Sequence, residues 1–155
     1  MIRRATEADI DALNELLFEV HAVHAEGRPD IFKPGAKKFT TEELREIITD
    51  DSKPVFVYDD GGRVLGHVFC EIRSMRETGN TYARRFLFIH DLCVLGSARG
   101  RGIGTALYRY VCEYAKCCGC NSVELNVWAF NESAVAFYKS LGLKPLSMIM
   151  EEKMG

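Results

Sequence analysis

Apolar and polar positions alternate with two different periods along this chain, and the changes of period mark its elements. Ile10, Leu13, Leu16, Leu17 and Val20 recur at steps of three and four, which places one apolar stripe on a helix, with Thr6 and Asp9 as its amino-terminal capping residues. Before it, Met1–Ala5 reads as a short first strand. The stretch from His24 to Phe39 carries two prolines and two glycines and reads as an irregular loop. The threonines Thr40 and Thr41 then open a second short helix.

From Pro54 the period changes. Two β-branched and aromatic runs flank Asp59-Asp60-Gly61-Gly62, a strong hairpin signal because glycine reaches the positive φ of a tight turn. A further strand follows over Ala83–Leu95. The pattern then predicts a helix from Ile103 to Cys117, a strand over Ser122–Trp128, a helix from Ser133 to Leu141 ended by Gly142, and a last strand over Ser147–Met154. This is an α/β order: antiparallel strands first, then strand, helix, strand, helix, strand.

Composition narrows the classes. A chain of 155 residues, 47% hydrophobic and 27% charged, suits one globular domain over residues 1–155. The net charge of −2 gives no general attraction to nucleic acid or to an anionic bilayer, so neither is an expected partner. No apolar run approaches the ~20 residues of a membrane span, and no signal-peptide core follows Met1, so a cytoplasmic location is expected. Four of the six cysteines crowd between Cys112 and Cys120, yet the paired spacing of a zinc site is missing. Free thiols and no metal are the expectation.

The densest chemistry lies in Ala98–Leu107, "ARGRGIGTAL", directly after an apolar strand. A glycine-dense turn between a strand and an amphipathic helix aims several unpaired backbone N–H groups at one point, which suits a phosphate. The loop is no P-loop, because no Gly-Lys-Ser or Gly-Lys-Thr occurs. Nor is it a dinucleotide fingerprint, since counting from Gly100 or Gly102 puts the last glycine position on Thr105 or Leu107.

Arg99, Gly102 and Gly104 match [RQ]-x-x-G-x-[GA], and the stretch resembles motif A of the GCN5-related N-acetyltransferases (GNAT). "IHDLCV" is similar to that family's fourth strand, and "NESAVAFYKSLG" to its Asn-x(6)-Tyr segment. The resemblance implies the GNAT fold: a single mixed, mostly antiparallel sheet flanked by helices, with a V-shaped split between strands four and five. It also implies acetyl-CoA as acyl donor in that split. The backbone of Leu92, Cys93 and Val94 would pair with the pantetheine arm. The amides of Arg99, Gly100, Arg101, Gly102, Ile103, Gly104 and Thr105 would hold the pyrophosphate, and Asn131, Ser133 and Tyr138 would complete the cofactor side. One departure is Leu95-Gly96, where the family often has an acidic residue or a proline.

Acetyl transfer to a primary amine of a small molecule or peptide needs a base, a polarised carbonyl and a donor for the departing thiolate. His90 is the first candidate base, with Glu71 and Glu124 behind it. In a regular strand Asp91 would point to the opposite face from His90. A backbone N–H of Cys93 or Val94 suits the carbonyl, and Tyr138, protonated at neutral pH, suits the thiolate. Cys93 has no assured base to make it a nucleophile, so direct attack by the amine is preferred over an acetyl-enzyme. The loops 24–39 and 75–85 frame the acceptor and mix both signs of charge. The resemblance allows a homodimer, although no sequence signature marks one. The alternative function is a non-catalytic CoA-binding sensor or interaction module on the same fold.

Overall fold

A computed structural model describes residues 1–155. Its five-stranded sheet runs β1-β2-β3-β4-β5 in space as in sequence: β1 Ile2–Arg4, β2 Val55–Asp60, β3 Arg63–Met75, β4 Arg84–Val94 and β5 Ser122–Leu125. The first four pair antiparallel and β4–β5 pairs parallel. Helices α1 (Ile10–Gly27), α2 (Thr41–Thr49), α3 (Ile103–Cys117) and α4 (Glu132–Ser140) complete the chain.

Local chemistry explains the boundaries. Thr6 donates its N–H to the Asp9 carboxylate at 2.8 Å, and Arg3 grips the same carboxylate, so a 3-10 turn over Glu7–Asp9 leads into α1. Thr40 and Glu43 cap α2 reciprocally, at 3.1 and 3.2 Å. Gly61 and Gly62 take φ of 62° and 97° at the β2–β3 turn, the conformation the Asp-Asp-Gly-Gly signal required.

Alternation along the strands sorts the core into two layers. Phe56, Gly66, Val68 and Val94 face α3, whose Ile103 and Leu107 approach Gly66 closely. His67, Phe69, Asp91 and Cys93 face α1 and the 28–40 loop: the Cys93 thiol points at the Leu16 carbonyl, and the Phe39 and Phe69 rings lie 5.3 Å apart. Leu13, Leu16 and Leu17 are fully buried on that side, and Leu107 and Val111 on the other.

Two features differ from the expected elements. The strand expected over Ser122–Trp128 stops at Leu125, because its partner segment on β4 ends at Ile89. Beyond that point β4 continues to Val94 with β3 alone, which opens the split between the fourth and fifth strands. No strand forms over Ser147–Met154, since the main chain there makes no backbone hydrogen bond within the molecule.

Candidate active site

The register of β4 shapes the site. Phe69 pairs with Asp91 but Cys70 pairs with Ile89, so His90 is an extra residue opposite no partner. Such a bulge rotates the strand by one position. Consequently His90 and Asp91 emerge on the same face, contrary to the regular alternation expected from sequence. Their partners show it: His90 Nε2 meets Glu71 Oε1 at 2.9 Å, while Asp91 is bonded to His67 Nε2, and Glu71 and His67 share one face of β3.

Each group has a distinct electrostatic setting. Burial pulls the His90 imidazole below its ordinary value, and the hydrogen bond to Glu71 only partly opposes it. The imidazole is therefore neutral at neutral pH. Burial alone would raise the Glu71 carboxyl, but bonds from His90 and from Arg73 at 3.0 Å hold it low. His67 is fully buried, and its Nδ1 has no partner in the protein. The Lys38 ammonium bonds the His90 carbonyl at 2.9 Å and feels the Asp91 charge, as does half-buried His24 on α1. A cavity of about 130 Å³ lies beside these groups, walled in part by Phe39, Phe69, Glu71 and His90.

Tyr138 on α4 is half-buried. Burial, then the nearby Asp91, Tyr108 and Cys93 groups, push its phenol well above the ordinary tyrosine value. Asn131 is the N-cap of α4: its Oδ1 accepts from the Ala134 N–H at 3.3 Å and from the Ser133 hydroxyl at 3.2 Å. Burial and the Asp91 and Glu19 charges push the Cys93 thiol up to about 12. A thiolate is strongly disfavoured there.

The glycine-dense loop joins β4 to α3. Gly100 and Gly102 take φ of 80° and 77°, and α3 starts at Ile103 with the Ala106 N–H bonded to the Gly102 carbonyl. The N–H groups of Gly100, Arg101, Gly102, Ile103, Gly104 and Thr105 find no acceptor within the protein, whereas the Arg99 N–H reaches back to the Gly96 carbonyl at 3.5 Å. Gly104 allows the helix start to meet α4, since a Cβ there would lie 3.2 Å from the Phe137 ring. Glu19 of α1 steadies the loop by accepting from the Gly96 N–H at 2.8 Å. The Arg99 and Arg101 side chains are more than half exposed, with loose pairings to Glu19 and Asp60.

On the strand itself the Leu95 N–H bonds the Leu65 carbonyl of β3, so by alternation Cys93 also turns its main chain toward β3. An added Cβ on Gly66 would sit 2.9 Å from the Cys93 carbonyl, in agreement. Leu92 and Val94 are left with their main-chain groups on the open edge. Glu124 lies elsewhere, paired with Arg84 at the closed end of the split. Sequence reasoning missed Asp91, His67, Lys38 and His24. The Asp91 signal was adjacency to His90, and only the bulge gives it meaning.

A parallel strand pair that parts beside an open helix start is the arrangement of an acyltransferase fold. Comparison with known proteins agrees: a profile of the acetyltransferase (GNAT) family matches residues 19–143, and the chain belongs to that family. It is 32% identical over 148 residues to an uncharacterized N-acetyltransferase of Methanocaldococcus jannaschii, MJ1207, an alignment covering 96% of this chain and 62% of that protein. It is 37% identical over 68 residues to the thialysine N-epsilon-acetyltransferase of Mus musculus, covering 44% of this chain and 40% of that one. The chain thus spans less than two thirds of the length of these relatives. Among solved structures, a mutant of the BH1408 protein of Bacillus halodurans superposes with a TM-score of 0.96 at 28% identity, covering 99% of both chains. No helix of the chain is long and apolar enough to cross a membrane.

Proposed function

We propose that this chain, acting as one domain over residues 1–155, transfers an acetyl group from acetyl-CoA directly to a primary amine of a small molecule or peptide. The observation that carries this reading is the run of acceptor-less amides from Gly100 to Thr105 at the start of α3, set at the mouth of the β4–β5 split. Those amides and the positive end of the α3 dipole suit a pyrophosphate, with Arg99 and Arg101 at its rim. The open main-chain groups of Leu92 and Val94 suit an amide-bearing pantetheine arm lying along the edge. Asn131 and Ser133 set the start of α4, and with it the place of Tyr138.

The chemistry follows from the two sides of the split. The cationic amine first gives one proton to His90, which burial keeps neutral and ready, and the neutral nitrogen then attacks the thioester carbon. The Val94 N–H polarises the carbonyl. As the C–S bond breaks, Tyr138 stays protonated and donates a hydrogen bond to the departing thiolate. The second proton, lost by the nitrogen as the amide forms, closes the balance on sulfur, and His90 returns the first to solvent. Asp91, oriented by His67, supplies the negative charge that draws a cationic amine toward the carbonyl. Cys93, buried with its thiol held protonated, has no covalent part.

Incubation with acetyl-CoA and a panel of amines, read by free thiol and by the mass of the acetylated product, tests the proposal. Thiol and product appear in equal amounts if it holds. Tight CoA binding by calorimetry without thiol release from any amine would instead support a non-catalytic binder.

A further inference from the structure

Lys38 brings a primary amine of this chain to the point where β4 and β5 part. Its Nζ donates to the His90 carbonyl at 2.9 Å, and His90 is the first residue of β4 past Ile89, the last that pairs with β5. A pantetheine arm running from the Gly100–Thr105 amides along the open edge, past Val94 and then Leu92, aims its thioester end at that same point. The chain's own ammonium already stands there.

Packing on both sides fixes the position. Lys37 is bonded to Asn14 of α1, and the Phe39 ring lies 5.3 Å from the Phe69 ring of β3, so the residue between them has little freedom. The Lys38 Nζ itself lies 5.7 Å from the centre of the Phe39 ring. Asp91, whose charge acts on this ammonium, is bonded to His67. The His90 carbonyl is thus its hydrogen-bond partner, and further N–H donors stay free. Burial pulls the Lys38 amine below its ordinary 10.5, with the Asp91 charge opposing, and so favours the neutral nucleophile.

We propose that Lys38 is a self-modification site: with no free amine bound, the chain transfers an acetyl group from acetyl-CoA to its own Lys38 Nζ. This inference rests on the acetyl-transfer reading above. The ammonium gives one proton to His90, whose imidazole feels the Lys38 charge. The neutral nitrogen then forms the C–N bond as the C–S bond breaks. Its second proton goes to sulfur, CoA leaves as the thiol, and His90 returns the first proton to solvent. The product is an uncharged amide beside Asp91. Lys53 also lines the cavity next to His90, so the test must locate the acetyl group and not only count it.

The intact chain is incubated with acetyl-CoA and no amine, treated with hydroxylamine to strip any thioester from cysteine, and mapped by peptide mass. Lys38 should be acetylated on the order of 100-fold faster than Lys37 or Lys53, with a rate constant independent of chain concentration. Lys38→Arg, which keeps the charge and a donor for the His90 carbonyl, should keep its unmodified mass over the same interval. Equal rates at the three lysines, or a rate constant that rises with chain concentration, overturns the proposal. An unmodified Lys38 in a preparation that releases thiol with an added amine overturns this inference and leaves acetyl transfer standing; an unmodified Lys38 with no thiol release from any amine overturns both. If Lys38→Arg fails to fold, the rates at the three lysines of the unaltered chain still decide.

Discussion

His90 and Asp91 are consecutive in β4 yet share one face of the sheet, because the pairing with β3 skips from Phe69–Asp91 to Cys70–Ile89. The two groups have separate partners, Glu71 for the imidazole and His67 for the carboxylate, and the proposed mechanism gives them separate roles. Substitution should separate them kinetically. If Asp91 faces the amine as proposed, Asp91→Asn removes a charge worth about 1.5–3 kcal/mol when it hydrogen-bonds a cation, so the KM for a cationic acceptor should rise roughly tenfold or more. His90→Gln should lower kcat on the order of 100-fold with a nearly unchanged KM. Steady-state kinetics on one amine, with acetyl-CoA saturating, checks both; identical effects on kcat and KM would merge the roles and remove the distinction.

Burial keeps the Tyr138 phenol protonated far above neutral pH. Tyr138→Phe deletes one oxygen, and the ring contact with Phe137 at 5.1 Å remains. Turnover should fall about 100-fold while acetyl-CoA binds as before by calorimetry. An unchanged turnover would exclude Tyr138 from the reaction.

The parts of this arrangement that depend on local residues are readable in the chain. α3 runs over Ile103–Cys117, as its period predicts, because the glycines before it and the amphipathic stripe within it are both local signals. The hairpin at Gly61-Gly62 and the Asn131 cap are of the same kind. The bulge at His90 is different. It arises from a mismatch of lengths between β3 and β4, a property of the pair that neither strand records alone. The carboxy-terminal segment misled for a related reason: Met148-Ile149-Met150 has strand composition, but composition does not supply a partner, and its main chain makes no backbone hydrogen bond even though β5 leaves one edge free. The alternation that set Asp91 apart from His90 was sound for a regular ladder and failed at the one irregular residue.

Gly102 is the glycine of the loop whose conformation can be tested most directly. Its φ of 77° lies in the left-handed region at the N-cap of α3, with open space around the site of a Cβ. Strain and not collision is therefore the cost of Gly102→Ala, about 1–2 kcal/mol. Relief of that strain would turn the neighbouring amides away from a common point, so acetyl-CoA affinity should fall by roughly tenfold alongside a lower Tm. Gly79→Ala, at a position also with open space but without positive φ, is the control and should leave both unchanged. Equal affinity in the two variants would contradict the amide cradle.

Stability in mild acid should report the cleft histidines. Burial lowers both His24 and His90 below the ordinary 6.5, although Asp91 and Glu71 respectively oppose it. Between the folded value and 6.5 the unfolded chain binds more protons than the folded one, so stability rises with pH across that window and is complete above it. Read downward, the Tm should begin to fall as the pH passes below about 6.5. The carboxylates Asp9, Asp50 and Asp59, held low mainly by Arg3, Ser52 and Arg3 respectively, act only at more acidic pH, below their ordinary 3.8. A scan of Tm against pH for the wild-type chain and for His24→Gln with His90→Gln isolates the effect. The wild-type curve should slope downward from about pH 6.5 while the double variant stays flat until the carboxylates protonate. A wild-type curve that is equally flat would show that these imidazoles carry no burial penalty in the folded chain.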